Sequence, residues 1–354
     1  MGIKNFHTFL RRKIPSVYQT VSIESLKNQK LSIDTSIFLC KFKNTYGNRW
    51  LNGFYQFICF LVSKEIQFVF VLDTKPPPEK NNERELRSQS REKNKERIEM
   101  LIDQWGTYKS LQGSKFEFEI DSLENDFSEL HNFLKKKHQD KLITQQIVEN
   151  YLAKLQKNII KITSADFDLL KKLFELMHVD FYYADSEAEG TCSLMNRKGL
   201  VDGVLTEDTD VMAYGTPVMY HNFSFKNNTV QKLVLQDVLI GLSVTFEQLR
   251  DFCILCGTDY NNNLEKIGPV RSMELIKKHN DLETISQTID TSSINFVRIR
   301  DLFNSEQFEL KIDSLRKSNE IKLNTKELQD FCFYNNIIIS KEKQDLFFSS
   351  ENFF

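Results

Sequence analysis

Short apolar runs of β-branched and aromatic residues recur along the chain, each followed by turn chemistry and then by helical spacing: Leu31–Ile33, Phe68–Leu72, Val179–Tyr183, Val201–Leu205 and Val218–Tyr220. This alternation predicts an α/β fold, with a central, mostly parallel twisted sheet flanked by helices. Between the second and third runs, from Pro76 to Ile162, the chain is charged and helical in period, with a break expected around Gly106–Ser114. That stretch reads as a helical insertion projecting from the sheet. From Phe246 onward the pattern is helical, including Val270–His279, opened by Gly268-Pro269, where proline suits the first turn. The expected divisions are residues 1–79 and 163–245 for the two parts of the sheet core, 80–162 for the insertion, 246–300 for a helical region, and 301–354 for C-terminal helices and tail.

Composition changes this picture little. With 354 residues, 40% of them hydrophobic, the chain can bury a substantial core, and its formal charge of −2 shows no overall basic footprint, so any nucleic-acid contact has to be local. Cys40, Cys59, Cys192, Cys253, Cys256 and Cys332 follow no framework spacing, and no secretory leader precedes them. A reducing, intracellular setting is expected, nuclear or at a cytoplasmic replication site, and not secretion. Cys253 and Cys256 form a C-x-x-C, but no second pair follows and apolar neighbours make it a buried helix. The run Phe54–Val62 is far short of the roughly 20 residues of a membrane span, so no membrane association is expected. Phe6 stands where myristoylation requires Ser or Thr.

The acids supply the candidate chemistry. Asp34 follows Leu31-Ser32-Ile33, Asp73 follows Val69-Phe70-Val71-Leu72, Asp208 and Asp210 follow Val201–Leu205, and Tyr182-Tyr183-Ala184 runs into Asp185-Ser186-Glu187-Ala188-Glu189. In an open parallel sheet the carboxyl ends of the strands converge on one crevice, so these acids are expected to meet. Clustered carboxylates in a partly desolvated crevice repel, and protonation or a multivalent cation relieves the cost. Oxygen-only ligands suit Mg²⁺ or Mn²⁺, and two such ions about 4 Å apart serve in-line phosphodiester hydrolysis. The bland alternative is that Asp after a strand is a turn or helix-capping residue, and that Ser186 and Glu189 form a capping box.

Around these acids the sequence resembles the flap endonucleases, within the XPG-type 5′-nucleases. The likeness rests on Met1-Gly2-Ile3-Lys4, Ile33-Asp34-Thr35-Ser36, Leu72-Asp73-Thr74-Lys75-Pro76-Pro77, Ser186-Glu187-Ala188-Glu189, Thr206-Glu207-Asp208-Thr209-Asp210, Leu255-Cys256-Gly257-Thr258-Asp259-Tyr260 and Ile267-Gly268-Pro269-Val270-Arg271. It extends in order over nearly the whole chain. The resemblance adds Asp259 and implies that Asp34, Asp73, Glu187, Glu189, Asp208, Asp210 and Asp259 hold two Mg²⁺, for which Mn²⁺ substitutes. It implies a structure-specific 5′-flap endonuclease with 5′-exonuclease activity in replication, repair or recombination. The partner implied is flapped or branched duplex DNA with a free 5′ end, and a monomer is expected. Three rivals stand beside this: a junction- or bubble-cleaving or recombination-linked relative, a DNA-binding scaffold without catalysis, and an RNase of the related small PIN-type domains, which lack the module over 259–279.

Lys80, Arg84, Arg87, Arg91 and Lys95 recur every three or four residues and share one helix face, which by itself also fits a solvated helix with intrahelical ion pairs. The resemblance implies that Lys80 and Arg87 touch the scissile phosphate and that Arg84, Arg91 and Lys95 guide the 5′ single strand through an arch. It likewise implies that Gly2, Gly268, Val270, Arg271, Lys277 and Lys278 contact DNA, the last five in a helix–two-turn–helix module that carries K⁺ on main-chain oxygens. Departures from the family are Thr74 in place of glycine, which alters how closely the backbone approaches substrate, a longer insertion whose Lys135-Lys136-Lys137 reads as solvated, and Cys40 where a tyrosine stacks on a base, which either shifts stacking to a neighbour such as Phe38 or Phe42 or weakens it. Lys341–Phe348 lacks the glutamine and aliphatic residue of a clamp-binding peptide, so a sliding clamp is a doubtful partner, and a viral or parasite member is expected.

Overall fold

The structure, a computed structural model, describes residues 2–112, 117–123, 127–138, 142–157, 159, 162–310 and 325–339. The tail segments 341–348 and 349–354 lie outside these residues. Nine strands are present among them: β1 (Tyr18–Ser22), β2 (Lys30–Asp34), β3 (Gln67–Leu72), β4 (Glu117–Glu119), β5 (Leu142–Thr144), β6 (Phe181–Tyr183), β7 (Gly203–Leu205), β8 (Val218–Ser224) and β9 (Thr229–Val234). Seven form one sheet in the order β1-β9-β8-β7-β2-β3-β6. All five expected strands lie in it and pair in parallel, from β8 through β6. Two strands that the apolar pattern does not announce, β1 and β9, extend it antiparallel. β1 is an edge strand with no buried residue, so its sequence carries no apolar signal.

Helices α1 (Phe6–Lys13), α2 (Thr35–Tyr46) and α3 (Trp50–Ser63) precede the insertion, which contains α4 (Asn81–Gln112), α5 (Ser128–Lys137) and α6 (Gln145–Lys157). After it come α7 (Ser164–Leu176), α8 (Ala188–Arg197), the short α9 (Asp210–Ala213), α10 (Leu235–Leu242), α11 (Phe246–Cys256) and α12 (Pro269–His279). Strand alternation sorts the core into two layers. Phe68 and Phe70 of β3 face α2, α3 and α7. Val69 and Val71 face the other way, with α1, α8, α11 and α12. Cys253 and Cys256 are buried in this second layer, inside α11.

The insertion packs on itself. Leu101, Trp105, Tyr108, Phe118, Leu123, Leu130 and Leu134 belong to a third core, separate from the two sheet layers, with β4 and β5 paired antiparallel as a small two-stranded sheet. The break expected around Gly106–Ser114 falls late in that window: α4 runs through Gly106 and ends at Gln112, 32 residues or roughly 48 Å at helical rise. A Cβ at Gly106 would meet nothing within 4 Å, so the glycine only weakens the helix. Before Ile98 no residue of α4 is buried, and that half stands free as an exposed charged helix.

Candidate active site

Parallel strand ends place the acids. Asp34 is the last residue of β2, Asp73 follows β3, Glu187 and Glu189 follow β6, and Asp208 and Asp210 follow β7. Asp259 enters from the turn between α11 and α12. Six of the seven are nearly inaccessible, from 1% exposed at Asp210 to 8% at Glu189.

Some of these acids also perform the structural task that the bland reading assigns. Asp34 accepts the Ile37 amide at 3.3 Å and so caps α2, while Thr206 donates its hydroxyl to the other Asp34 oxygen at 3.1 Å. Asp73 accepts the Ala188 amide at 2.7 Å and the Ser36 hydroxyl. The capping box does not form: α8 starts at Ala188 with Glu187 at its N-cap, and Asp73 reaches across from β3 to that helix end. Glu187 takes a hydrogen bond from the Tyr260 hydroxyl at 2.6 Å, and Asp208 takes the Asp210 amide at 2.9 Å. Asp210 Oδ1 is buried and has no hydrogen-bond partner among the described residues.

Two cations from the start of the arch face this ring. The Lys80 ammonium bonds Glu187, lies 3.1 Å from Asp259 and 3.9 Å from Glu189, and is 12% exposed. Arg87 donates to Asp259 at 2.5 Å and to Glu83 at 2.8 Å. Burial, then the charges of Asp73 and Asp208, push the Asp34 carboxyl up to about 8. Burial likewise raises Glu189, Asp208 and Asp210. Burial works against a charged Lys80, yet Glu189, Glu187 and Asp259 together hold its pKa above the usual lysine range.

Seven oxygen-donor side chains, with an orphaned Asp210 oxygen, fit hard divalent cations such as Mg²⁺. Among the described residues no three acidic, histidine or cysteine side chains close on one point; Lys80 stands between three of the acids instead. In the α11–α12 turn, side-chain amides reach two of the main-chain oxygens: Asn263 donates to Leu264 and Ile267 at 3.2 Å each, while Asn261 donates to Ile254 at the end of α11 at 2.8 Å.

Gly2 lies against the ring with φ of +77°, and a Cβ there would fall 2.1 Å from Asp208 Oδ1, so no larger residue fits. Arg84 and Arg91 are exposed along α4, whereas Lys95 pairs with Glu92 at 3.1 Å. Gly268, Val270, Arg271, Lys277 and Lys278 are exposed on α12 or at its start. Gly268 is extended rather than left-handed, and a Cβ there would meet nothing within 4 Å; it leaves the helix start open. Lys135, Lys136 and Lys137 are solvated, as expected.

Of the two stacking alternatives, a role for Phe38 or Phe42 fails. Phe38 and Phe42 are 1% and 2% exposed and pack on Phe54 and Phe57 in the core, because they occupy the sheet-facing side of α2; Tyr46, at 45%, is that helix's exposed ring. Sequence reasoning missed Ser36, Thr206 and Tyr260, which orient the acids. Nothing in their spacing separates them from ordinary turn residues. Thr74, read as an altered approach to substrate, ties its hydroxyl to the Ala184 carbonyl at 2.9 Å and so joins the β3 and β6 exits.

Residues 1–94 match the XPG N-terminal domain and residues 178–259 the XPG I-region. A probable RAD2-like endonuclease, 076L of Invertebrate iridescent virus 3, is 32% identical over 328 residues, covering 86% of this chain and 85% of its own. Flap endonuclease 1 of Cryptosporidium muris is 28% identical over 335 residues, covering 86% of this chain and 62% of its own. Human GEN1 in complex with Holliday junction DNA shares the fold at a TM-score of 0.62 and 16% identity, over 98% of this chain and 77% of that one.

Proposed function

Because the chain belongs to the XPG family of Rad2-like endonucleases, we propose that it is a structure-specific DNA 5′-nuclease that cuts 5′ flaps and trims 5′ ends. The supporting observation is the ring of seven acids, six at converging strand ends and Asp259 from the α11–α12 turn, with Lys80 and Arg87 reaching into it from the start of the insertion. Asp34, Asp73, Glu187, Glu189, Asp208, Asp210 and Asp259 would hold two Mg²⁺, or Mn²⁺ in their place. Bound there, divalent ions supply an activated water and neutralise charge on the leaving oxygen. Ser36, Thr206 and Tyr260 keep the carboxylates aimed. Lys80 and Arg87 exchange their carboxylate partners for the scissile phosphate, placing positive charge where negative charge develops. Arg84, Arg91 and Lys95 guide the unpaired strand along α4, while α12 and its preceding turn grip duplex backbone without reading bases. Choice among substrates then rests on DNA shape.

A junction-cleaving variant of the same chemistry is favoured by one observation, the insertion with its own core. Rates on 5′-flap, nicked, gapped and four-way junction DNA in Mg²⁺ decide between them. Flap DNA is expected to be cut fastest, and equal cutting of all four counts against a flap enzyme. Asp208→Ala is expected to bind flap DNA and cleave none; a wild-type chain inert toward every branched substrate overturns the nuclease reading.

A further inference from the structure

Helix α1 begins next to the acid ring, tied by the Lys4 amide to the Gly257 carbonyl at 3.0 Å, and ends in Arg11-Arg12-Lys13. Cations at a helix C-terminus are ordinary, because they offset the negative end of the helix dipole. What faces them here is not ordinary. Arg12 and Lys13, with Asn5 and Thr8, line an open cleft of about 450 Å³ whose far wall is Pro269 and Val270, the first turn of α12. The N-terminal end of α12 is itself positive, so two exposed cations and a helix start of the same sign share one cleft. Arg11 differs: it turns away to Gln231 at 2.7 Å and lies over the Tyr18 ring. Among the described residues, Arg12 and Lys13 have no carboxylate partner.

We propose that this α1–α12 cleft is a second phosphate-binding subsite, in which Arg12 and Lys13 hold the backbone of the duplex beyond the cut. It rests on the nuclease reading and deepens it. An anion between like charges removes their repulsion, and the polar groups of Asn5 and Thr8 can hydrogen-bond to a phosphodiester. The eight residues of α1 span roughly 12 Å, so a duplex entering the acid ring passes the cleft about three to four base pairs on, at 3.4 Å per pair. A phosphodiester backbone, rather than free phosphate, is the occupant because α12 and the acid ring already lie along one path.

The experiment uses the full chain in EDTA, so that nothing is cut, and measures affinity for flap DNA and for a single-stranded oligonucleotide between 50 and 200 mM salt. Losing two phosphate contacts in R12A/K13A is expected to flatten the slope of log affinity against log salt by about 1.8 for flap DNA, so that the fourfold rise in salt costs about twelvefold less affinity than in wild type. Single-strand binding is expected to stay unchanged, as is the duplex slope of Lys27→Ala, a charge-loss control paired with Glu65 away from the cleft. Thr8→Glu, which adds an anion to the cleft, is expected to weaken duplex binding. An unchanged duplex slope in R12A/K13A, or equal flattening on duplex and single strand, overturns the subsite. Either result leaves wild-type cleavage, and with it the nuclease reading, intact.

Discussion

Lys80 is buried among Glu187, Glu189 and Asp259, of which only Asp259 has a second cation, Arg87, so removing its ammonium acts on both chemistry and folding. Lys80→Ala is expected to slow cleavage by roughly 10²–10³, the usual cost of one preorganised charge at a transition state. In EDTA it also leaves Glu187 short of a cation, a loss of roughly 3–5 kcal/mol for a broken buried pair, whereas Mg²⁺ restores part of it. Melting temperatures of wild type and variant, with chelator and with Mg²⁺, test this: an equal drop in both conditions means that Lys80 does not compensate the ring. The pH dependence has a definite sign. Asp34, Glu189, Asp208 and Asp210 have folded pKa values raised by burial, so the folded chain holds protons that the unfolded chain has released. That contribution is present in acid and lost as pH rises toward about 8, the value of Asp34. Without divalent ions, stability is therefore expected to fall across that window, and Mg²⁺ to flatten the fall. Six of the acids were legible because strand ends in a parallel sheet converge and Asp259 only through the family resemblance, whereas Tyr260 and Thr206 act through hydrogen bonds that only the folded chain brings together.

At the scale of elements, two expectations have measurable consequences. The break expected around Gly106–Ser114 comes at Gln112, where α4 ends, so Gly106 itself lies exposed inside the helix with open space around it. Gly106→Ala is expected to stabilise the chain by roughly 0.5–1 kcal/mol in a urea titration, the helix-propensity difference; a destabilisation would mean that the helix needs the bare backbone there. The turn before α12 was expected to hold K⁺. Since Asn263 donates to the Leu264 and Ile267 carbonyls, duplex affinity at constant ionic strength is expected to be the same in K⁺ and Na⁺. Asn263→Ala frees both carbonyls and is expected to weaken binding and make it cation-dependent. A wild-type preference for K⁺ would show that the ion displaces the amide. Buried strands with continuous apolar runs, such as β3, were readable on both faces, but β1 has no buried residue and pairs only through its backbone with β9. Neither a side-chain amide closing a turn nor an edge strand leaves a periodic trace.

The whole molecule consists of a sheet with a core on each face and an insertion with a third core of its own. Charge and helical period revealed that residues 76–162 project, but the alternation of Trp105, Tyr108, Phe118 and Phe127 with polar residues did not reveal that they pack on one another. Such a layout predicts that stability is not shared evenly. Leu130 is fully buried in the insertion core and touches neither sheet layer. Leu130→Ala is expected to remove roughly 2–5 kcal/mol from that core and to leave the sheet layers intact. In native-state hydrogen exchange, peptides within residues 101–157 should then lose protection while peptides within 203–256 keep theirs. Cleavage of nicked DNA, which sends no strand through the arch, should persist, while cutting of a long 5′ flap should fall. Loss of protection in both regions would show that the insertion and the sheet unfold as one unit. The long insertion would then be a structural brace of the nuclease core and could not select substrates by moving independently.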